Sequence, residues 1–506
     1  MEAPQMLIID LGGQYTLLIA RRIRELGVRS VVLSCEYANE WLTLNRPKGI
    51  ILSGGWASIH DANAPQVPDS VLTTSVPVLG ICFGMQWLAH TLGGVVESQI
   101  AHREYGVREF TRTVATDPLL RDIPEKSMVL VSHGDSVTVL PKHVYRSGGT
   151  QDCAIAAFSI LEKNIFAVQF HPECAETQYG IHILKNFLDI CHATQDWNPS
   201  SVAAEIRSEV LAVLPRKSSV IHLFSGGVDS TVIAAVLEPI LHDRLICVTF
   251  DTGSLREGEM REIRRNAYTA KSSLCVIEAK HTFMAALSGL TDSQEKRLAF
   301  QRAYRQKVED MKIYFKTPYV LQGTLATDLI ESGEQGNAVV IKTHHNVGME
   351  SINPLRGLFK DEVRDLARFL GLPDFITNRM PFPGPGLFIR IIGIPVTEEL
   401  LAVVRWADAR VGEIVRTQGI EKKISQLIVA LIGVKTTGVG GDGPSYEYPI
   451  VVRAVQSCDF MTGFGYEIPS PVRRLIKNIL TQYKEKKIAR VWFDETFKPP
   501  ATVELE

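Results

Sequence analysis

Residues 76–92 read VPVLGICFGMQWLAHTL, in which a short apolar run leads into a glycine-flanked cysteine and then a helix-favouring stretch. The run is typical of a buried parallel strand, because it is apolar throughout and ends at a turn. Similar runs at 6–10 and 50–53 also end in glycine-bearing turns. The sequence therefore predicts that the first part of the chain is an α/β domain with a parallel sheet.

The same alternation begins again after a polar linker at 192–201, with strand candidates at 220–224, 245–250 and 319–322. Beyond the Pro/Gly cluster at 380–387 the pattern becomes a mixture of helices and strands. At about 150 residues per domain, a chain of 506 residues favours three domains. We predict an α/β fold class with two consecutive parallel-sheet α/β domains, residues 1–195 and 200–390, followed by a small α+β domain, residues 391–506.

The composition excludes several classes of protein. Hydrophobic residues make up 45% of the chain and charged residues 22%, which excludes a disordered chain. The formal net charge of -2 argues against a nucleic-acid partner, since such a partner calls for a basic surface. The eight cysteines show no paired spacing, and no apolar run reaches membrane-spanning length. We expect a soluble, cytoplasmic protein without a membrane or nucleic-acid partner.

Cys82 is the first candidate catalytic residue. It lies between Gly80 and Gly84 where a predicted strand meets a predicted helix, which is the setting of a nucleophile elbow with cysteine in place of serine. Glycines suit such a turn, because the backbone packs closely on both sides of the nucleophile. Taken alone, the same residues also fit a buried structural cysteine at a strand end.

A second motif favours catalysis. A predicted strand over 164–170 runs into His171-Pro172-Glu173, and a cysteine nucleophile needs a base that a carboxylate orients. Residues two apart on an extended chain project to the same side, so Glu173 can hold the His171 imidazole toward Cys82. The turn at 53–55, Ser-Gly-Gly, offers free amides for an oxyanion. We predict a Cys82, His171, Glu173 triad.

Three motifs in this region, GICFGMQ (80–86), SHGD (132–135) and QFHPE (169–173), resemble those of the class I glutamine amidotransferase family. The resemblance implies that Cys82 attacks the carboxamide of glutamine, forms a thioester and releases ammonia. It also implies a set of residues that bind glutamine and stabilise the oxyanion: Gly54, Phe83, Gln86 and Asp135. Trp56 departs from the family pattern, which usually has proline there.

The second chemical motif is Ser225-Gly226-Gly227-Val228-Asp229-Ser230, between a predicted strand and a predicted helix. A glycine turn at a helix N-terminus presents backbone N–H groups to phosphate. No Gly-Lys-Ser/Thr closes this turn, so it is not a Walker A loop. The motif resembles the pyrophosphate loop of the ATP pyrophosphatase family, which implies that residues 225–230 bind ATP and that Asp229 lies near Mg²⁺. Asp251 ends the next strand, where it fits either an ATP ligand or an Asx turn.

Further motifs along the whole chain, including IKTHHNVG (341–348), PLRGLFKDEVR (354–364), PFPGPGL (381–387) and KPPATVELE (498–506), resemble the GMP synthetase family. The resemblance implies a carbon–nitrogen ligase that aminates xanthosine 5'-monophosphate (XMP) to GMP. Glutamine would supply the ammonia, and ATP would be cleaved to AMP and pyrophosphate through adenylated XMP. The implied requirements are Mg²⁺ with ATP, no prosthetic group, and a homodimer formed through the C-terminal domain.

The same resemblance implies two further groups of site residues. Lys342 and His344 belong to a lid over the nucleotides. The residues that bind XMP are Arg297, Asp442, Lys498 and Glu504, and the sequence itself adds Thr502, whose hydroxyl suits the phosphate of the acceptor. Taken singly, each of these charges is also compatible with an exposed surface position.

Departures from the family pattern near Arg297, at Met380, at Pro444 and in a short lid leave the acceptor open. A diverged paralogue that aminates a related purine nucleotide by the same chemistry is the alternative. Two hypotheses from other classes of function are a non-catalytic binding protein and a nucleic-acid-modifying pyrophosphatase. The complete triad motif argues against the first, and the lack of a basic appendage argues against the second.

Overall fold

The computed structural model describes residues 4–98, 103–142, 144–326, 328, 351–440, 443–457, 464–482, 488–498 and 501–506. These residues form two compact units, one ending at Ser201 and one beginning at Val202. Within the described ranges, no helix is long and apolar enough to cross a membrane.

The first unit is built around one large sheet. Its strands are β1 (Met6–Asp10), β2 (Ser30–Ser34), β3 (Gly49–Leu52), β4 (Val78–Ile81), β5 (Val95–Ser98), β6 (Glu104–Arg112), β7 (Lys126–His133), β8 (Asp135–Val139), β9 (Tyr145–Gly149), β10 (Ala157–Ile160) and β11 (Ile165–Val168). Its helices are α1 (Thr16–Glu25), α2 (Cys35–Leu44), α3 (Ser70–Thr73), α4 (Phe83–Thr91) and α5 (Gly180–Ile190).

The strand order in this sheet is β2-β1-β3-β4-β11-β10-β9-β6-β7. The first five strands in this order are parallel, as predicted. Beyond β11 the sheet continues through antiparallel strands, which the sequence pattern did not indicate. The register pairs Ile81 with Val168, so the residues that follow β4 and β11 emerge at the same edge of the sheet. Apolar clusters cover both faces of the sheet.

The second unit begins with a smaller parallel sheet of order β14-β13-β12-β15. Its strands are β12 (Val220–Leu223), β13 (Leu245–Asp251), β14 (Leu274–Glu278) and β15 (Val320–Leu321). The helices of this region are α6 (Pro199–Val213), α7 (Val228–Leu241), α8 (Glu259–Thr269), α9 (Lys280–Ala286), α10 (Ser293–Tyr314), α11 (Lys360–Phe369) and α12 (Asp374–Thr377).

The last part of the second unit has a mixed sheet. Its strands are β16 (Ile391–Ile392), β17 (Gln426–Ile432), β18 (Thr436–Gly440), β19 (Gly443–Gln456), β20 (Phe464–Gly465) and β21 (Ile488–Asp494), and its helices are α13 (Glu398–Thr417) and α14 (Ser470–Gln482). β19 pairs with β17 in antiparallel and with β21 in parallel orientation. One apolar cluster joins this part to the preceding one through Phe300, Phe388 and Val404. The predicted fold class, two α/β parts followed by an α+β part, is confirmed.

Candidate active sites

Cys82 lies at the sharp turn between β4 and α4, with φ 51° and ψ −105°. A non-glycine residue with positive φ is strained and is held there by its surroundings. The flanking glycines make the turn possible. A Cβ on Gly80 would lie 2.7 Å from the Gly84 carbonyl oxygen, and one on Gly84 would lie 2.6 Å from the Leu52 carbonyl oxygen. The turn therefore has the geometry of a nucleophile elbow.

The structure brings Cys82, His171 and Glu173 together at one edge of the sheet. The His171 Nδ1 atom lies 2.8 Å from Glu173 Oε1, and the Glu173 side chain is fully buried. A Cβ on Gly54 would lie 3.1 Å from His171 Cε1 and 3.6 Å from Cys82 Cβ, so Gly54 borders both side chains. A base oriented by a buried carboxylate beside a cysteine is the arrangement required for nucleophilic catalysis.

The electrostatics of His171 favour its protonated form. Burial opposes the charge, but the Glu173 carboxylate and hydrogen bonds with Cys82 and Glu173 outweigh it, and the pKa of His171 lies well above its ordinary value. A thiolate beside an imidazolium needs a shift in this direction.

The predicted glutamine-binding residues Gln86 and Asp135 are also neighbours. Gln86 Nε2 donates to the Asp135 carbonyl oxygen at 2.8 Å, and Ser58 Oγ donates to Asp135 Oδ2 at 2.5 Å. Phe83 is the first residue of α4, directly after the cysteine. Trp56, the departure from the family pattern, lies close to the turn at Gly12 with 56% of its surface exposed.

Three residues around the first candidate site were not predicted. Gln169 Nε2 donates to Cys82 Sγ at 3.6 Å, Ser58 holds Asp135, and the ring of Tyr15 lies 5.1 Å from that of His171. Gln169 precedes His171 by two residues, so the alternation that predicts the triad could have identified it. Tyr15 and Ser58 carry no comparable sequence signal, since they approach from distant loops.

The turn after β12 is the second candidate site. Ser225 Oγ lies 3.2 Å from Ser230 Oγ and accepts from the Gly227 N–H at 3.3 Å, so the hydroxyls close the turn at the start of α7. Ser225, Gly227, Val228 and Asp229 line a cavity of about 190 Å³. The N-terminus of a buried helix with two hydroxyls beside it suits a phosphate group.

Asp229 faces a cation that the sequence did not single out. Lys360, the first residue of α11, places Nζ 2.5 Å from Asp229 Oδ2. The other carboxylate oxygen, Oδ1, is buried and has no hydrogen-bond partner among the described residues. A carboxylate with an unsatisfied buried oxygen fits a divalent cation, so Asp229 is a suitable Mg²⁺ ligand.

Asp251 accepts from the Gly253 N–H at 3.1 Å through Oδ1, which is the Asx turn that the sequence left open. It lines a second cavity, of about 540 Å³, together with Lys280 and Arg405. Its position at the carboxyl end of β13 is as predicted, but it does not line the cavity of the 225–230 turn.

Three of the predicted XMP-binding residues meet at the C-terminal tail. Arg297 donates to the Glu506 carbonyl oxygen, and Thr502 Oγ1 donates to that of Glu504. The Glu504 carboxylate is buried, where Gln426 Nε2 donates at 2.6 Å and Arg390 lies at 3.3 Å. Lys498 lies at the start of this tail and is partly exposed. Asp442 and the lid residues Lys342 and His344 lie outside the described residues.

Comparison with known proteins gives the family. Residues 7–191 match the family of class-I glutamine amidotransferases, residues 204–384 that of NAD synthase, and residues 413–505 that of the GMP synthase C-terminal domain. The glutamine-hydrolysing GMP synthase of Caldanaerobacter subterraneus is 41% identical over 514 residues, which cover 99% of each chain. The chain belongs to the glutamine-hydrolysing GMP synthase family.

Other GMP synthases align over nearly their full length. The enzyme of Treponema denticola is 38% identical, with 99% of this chain and 97% of the relative covered. That of Bacillus subtilis is 39% identical, with 99% and 98% covered. The predicted family is thus confirmed, as is the prediction of a ligase that carries a glutamine amidotransferase part and an ATP-using part. A non-catalytic protein and a nucleic-acid-modifying enzyme are correspondingly disfavoured.

Proposed function

We propose that this chain converts XMP to GMP, with glutamine as the nitrogen donor and ATP cleaved to AMP and pyrophosphate. The observation that carries the proposal is the presence of two built sites in one GMP synthase chain: the Cys82 elbow with its His171–Glu173 pair, and the 225–230 turn with its Asp229–Lys360 pair. The first site suits ammonia release, and the second suits phosphate chemistry.

At the first site, the Cys82 thiolate attacks the side-chain carbonyl carbon of glutamine. Gly54 and the amide of Phe83 would stabilise the oxyanion, while Gln86 and Asp135 hold the substrate. His171 gives its proton to the departing ammonia, leaving a glutamyl thioester on Cys82. Water, deprotonated by His171, then hydrolyses the thioester to glutamate and restores the thiolate.

At the second site, the turn from Ser225 to Ser230 would bind the β- and γ-phosphates of ATP. Lys360 offers a cation there, and Asp229 is the residue that would hold Mg²⁺, which neutralises phosphate charge when it is bound. The C2 oxygen of XMP attacks the α-phosphorus and pyrophosphate leaves. Ammonia then attacks C2, and the C2–O bond breaks to release AMP, since a phosphoryl ester is a far better leaving group than a carbonyl oxygen.

The remaining assignments follow from family resemblance. We propose that Arg297, Lys498, Thr502 and Glu504 form the XMP site, with Asp442, and that Lys342 and His344 cover the nucleotides. Arg297 is half-buried beside the carboxylates of Glu504 and Glu506, and burial lowers its pKa despite them. A cation partly removed from water favours a phosphate dianion. Asp251 is retained as a nucleotide ligand in this proposal.

Domain boundaries and assembly also remain predictions. We propose that the domains span residues 1–195, 200–390 and 391–506. We propose a homodimer through the last of these, because large apolar side chains are exposed on neighbouring strands there: Val439 86%, Tyr446 60% and Trp492 43% exposed. We also propose that the enzyme works in the cytoplasm.

The proposal is tested by following products with XMP and with related purine nucleotides, using ammonia and then glutamine as the nitrogen source. We expect one AMP and one pyrophosphate per GMP, with XMP as the best acceptor. Release of ADP and phosphate would contradict the assignment of the 225–230 turn. Faster product formation with another purine nucleotide than with XMP would support the diverged-paralogue alternative instead.

A further inference from the structure

The peptide after Gly226 is held in an unusual way. Gly226 has φ +71°, and a Cβ added to it would lie 2.9 Å from Ile263 Cγ1 and 3.0 Å from Ile263 Cα. The turn therefore packs its backbone directly on helix α8, and only glycine fits at this point.

Two side chains bind the carbonyl oxygen of Gly226. Asn266 Nδ2 donates to it at 2.8 Å, and Arg379 Nη1 also donates to it. Asn266 lies on α8 and is 1% exposed, whereas Arg379 follows α12. Two donors from separate elements fix the direction of one carbonyl group.

Arg379 is itself held in place by the carboxylate of Glu259. Its Nη2 donates to Glu259 Oε1 at 2.7 Å, and the buried Glu259 also accepts from the Arg256 backbone N–H at 2.9 Å. Burial opposes the Glu259 charge, but Arg256 and Arg379 outweigh it and lower the pKa of this carboxyl. The planar guanidinium thus spans from Glu259 to the turn, which a lysine cannot reproduce.

The direction of the Gly226 carbonyl group also determines the direction of the next N–H group, on the phosphate side of the turn. In a trans peptide, the Gly226 carbonyl and the Gly227 N–H point in opposite directions. Holding the carbonyl against α8 therefore turns the Gly227 N–H away from α8. Gly227 lines the cavity with Ser225 and Asp229, and its N–H has only a long contact of 3.3 Å with Ser225 Oγ.

We propose that Arg379 and Asn266 are positioning residues that hold the Gly227 N–H toward the pyrophosphate part of ATP. This inference rests on the proposed use of the 225–230 turn for ATP. Arg379 also lines the cavity, so a direct contact with phosphate is the rival explanation. Asn266 does not line it, and so it separates the two explanations.

The test compares Asn266→Asp, Asn266→Ala and Arg379→Lys with the control Arg265→Lys. Asn266→Asp keeps the side-chain shape but turns an acceptor toward the Gly226 carbonyl. Arg265 is a neighbouring arginine on α8 whose guanidinium lies 3.8 Å from the centre of the Phe375 ring. Each variant is first checked by thermal melting and by its glutaminase activity, which depends on the other unit.

The readouts are pyrophosphate inhibition and kcat/KM for ATP, both with ammonia as nitrogen source. Removing one preorganised donor typically costs about 10²-fold in rate. We expect each of the three test variants to bind pyrophosphate about 10- to 100-fold more weakly and to have a kcat/KM for ATP that is lower by a similar factor. Their KM for XMP should change less than about twofold, and the control should behave as the wild type. A purely structural role would lower the melting temperature and the active fraction but leave the pyrophosphate inhibition constant as in the wild type.

The outcomes are distinct. Weakened pyrophosphate inhibition in the Asn266 and Arg379 variants alike supports the positioning role. Weakened pyrophosphate inhibition in Arg379→Lys alone, or in none of the variants, overturns the positioning role. The wild-type products decide the proposed function separately: AMP and pyrophosphate support it whatever the variants do, whereas ADP and phosphate would remove the basis of both.

Discussion

The Cys82 thiol depends on two neighbours whose positions were predictable because they lie in short motifs. His171 and Glu173 are two residues apart, and their side chains meet at 2.8 Å. Residues that come from elsewhere in the sequence were missed, such as Lys360, which pairs with Asp229 across 131 positions. Local spacing indicates which groups share a face, but contacts between distant segments follow from packing.

Replacing Cys82 with alanine should abolish GMP formation from glutamine and preserve formation from ammonia, because in the proposed mechanism the thiolate serves only to release ammonia. Both rates are measured on the same preparation. Cys35→Ala is the matched control, since burial and the charge of Asp10 raise the pKa of Cys35 to about 11 and leave it unreactive. Equal loss of both activities in Cys82→Ala would contradict a separate ammonia site.

Glu173→Gln should lower glutaminase kcat by about 10²- to 10⁴-fold, because the amide no longer stabilises the His171 imidazolium. It should also change stability with pH. The raised pKa of His171 stabilises the wild type below about pH 6.5, and this advantage is lost as the pH rises through the raised value. Denaturant unfolding of the wild type and of Glu173→Gln at several pH values measures this difference in the free energy of unfolding. A stability difference that grows toward alkaline pH would refute the ion pair.

At the scale of elements, the strand–turn–helix units were predictable, and the way the sheet continues was not. β4 with α4, and β12 with α7, follow directly from apolar runs that end in glycine turns. The antiparallel strands β6, β7, β9 and β10 were missed, because their sequences mix polar with apolar residues and do not form the continuous apolar runs that indicate buried parallel strands.

The turn at the start of α7 predicts the effect of Asp229→Asn. We expect GMP formation to fall by about 10²-fold or more with either nitrogen source, because the carboxylate acts before ammonia reacts. Glutaminase activity should remain. Asp243→Asn, an exposed change in the same part of the chain, is the control. Retained ammonia-driven synthesis in Asp229→Asn would rule out the proposed role.

At the scale of the whole molecule, the C-terminal tail holds part of the second unit together. Lys296 is fully buried and pairs with Glu506 at 3.3 Å. The buried Arg453 donates to the Thr502 and Val503 carbonyl oxygens. Deleting residues 498–506 would remove these bonds and leave the buried Lys296 without its carboxylate partner, so we expect the deletion to destabilise the second unit.

A single substitution is therefore the proper test of the tail. Lys498→Ala should raise the KM for XMP by about 10- to 150-fold, the equivalent of about 1.5–3 kcal/mol for one charge-assisted contact with phosphate. The melting temperature and the glutaminase activity should stay as in the wild type. Lys316→Ala provides a lysine control in another part of the unit. An unchanged KM for XMP would remove Lys498 from the proposed substrate site.

In the proposed reaction, the two sites act in series through adenylated XMP. The most direct measurement follows ¹⁸O placed at the C2 oxygen of XMP during ammonia-driven turnover. Because that oxygen attacks the α-phosphorus of ATP and leaves with AMP, we predict one ¹⁸O atom in the AMP phosphate for each GMP formed. Label in water, in pyrophosphate or in free phosphate would contradict an adenylated XMP intermediate.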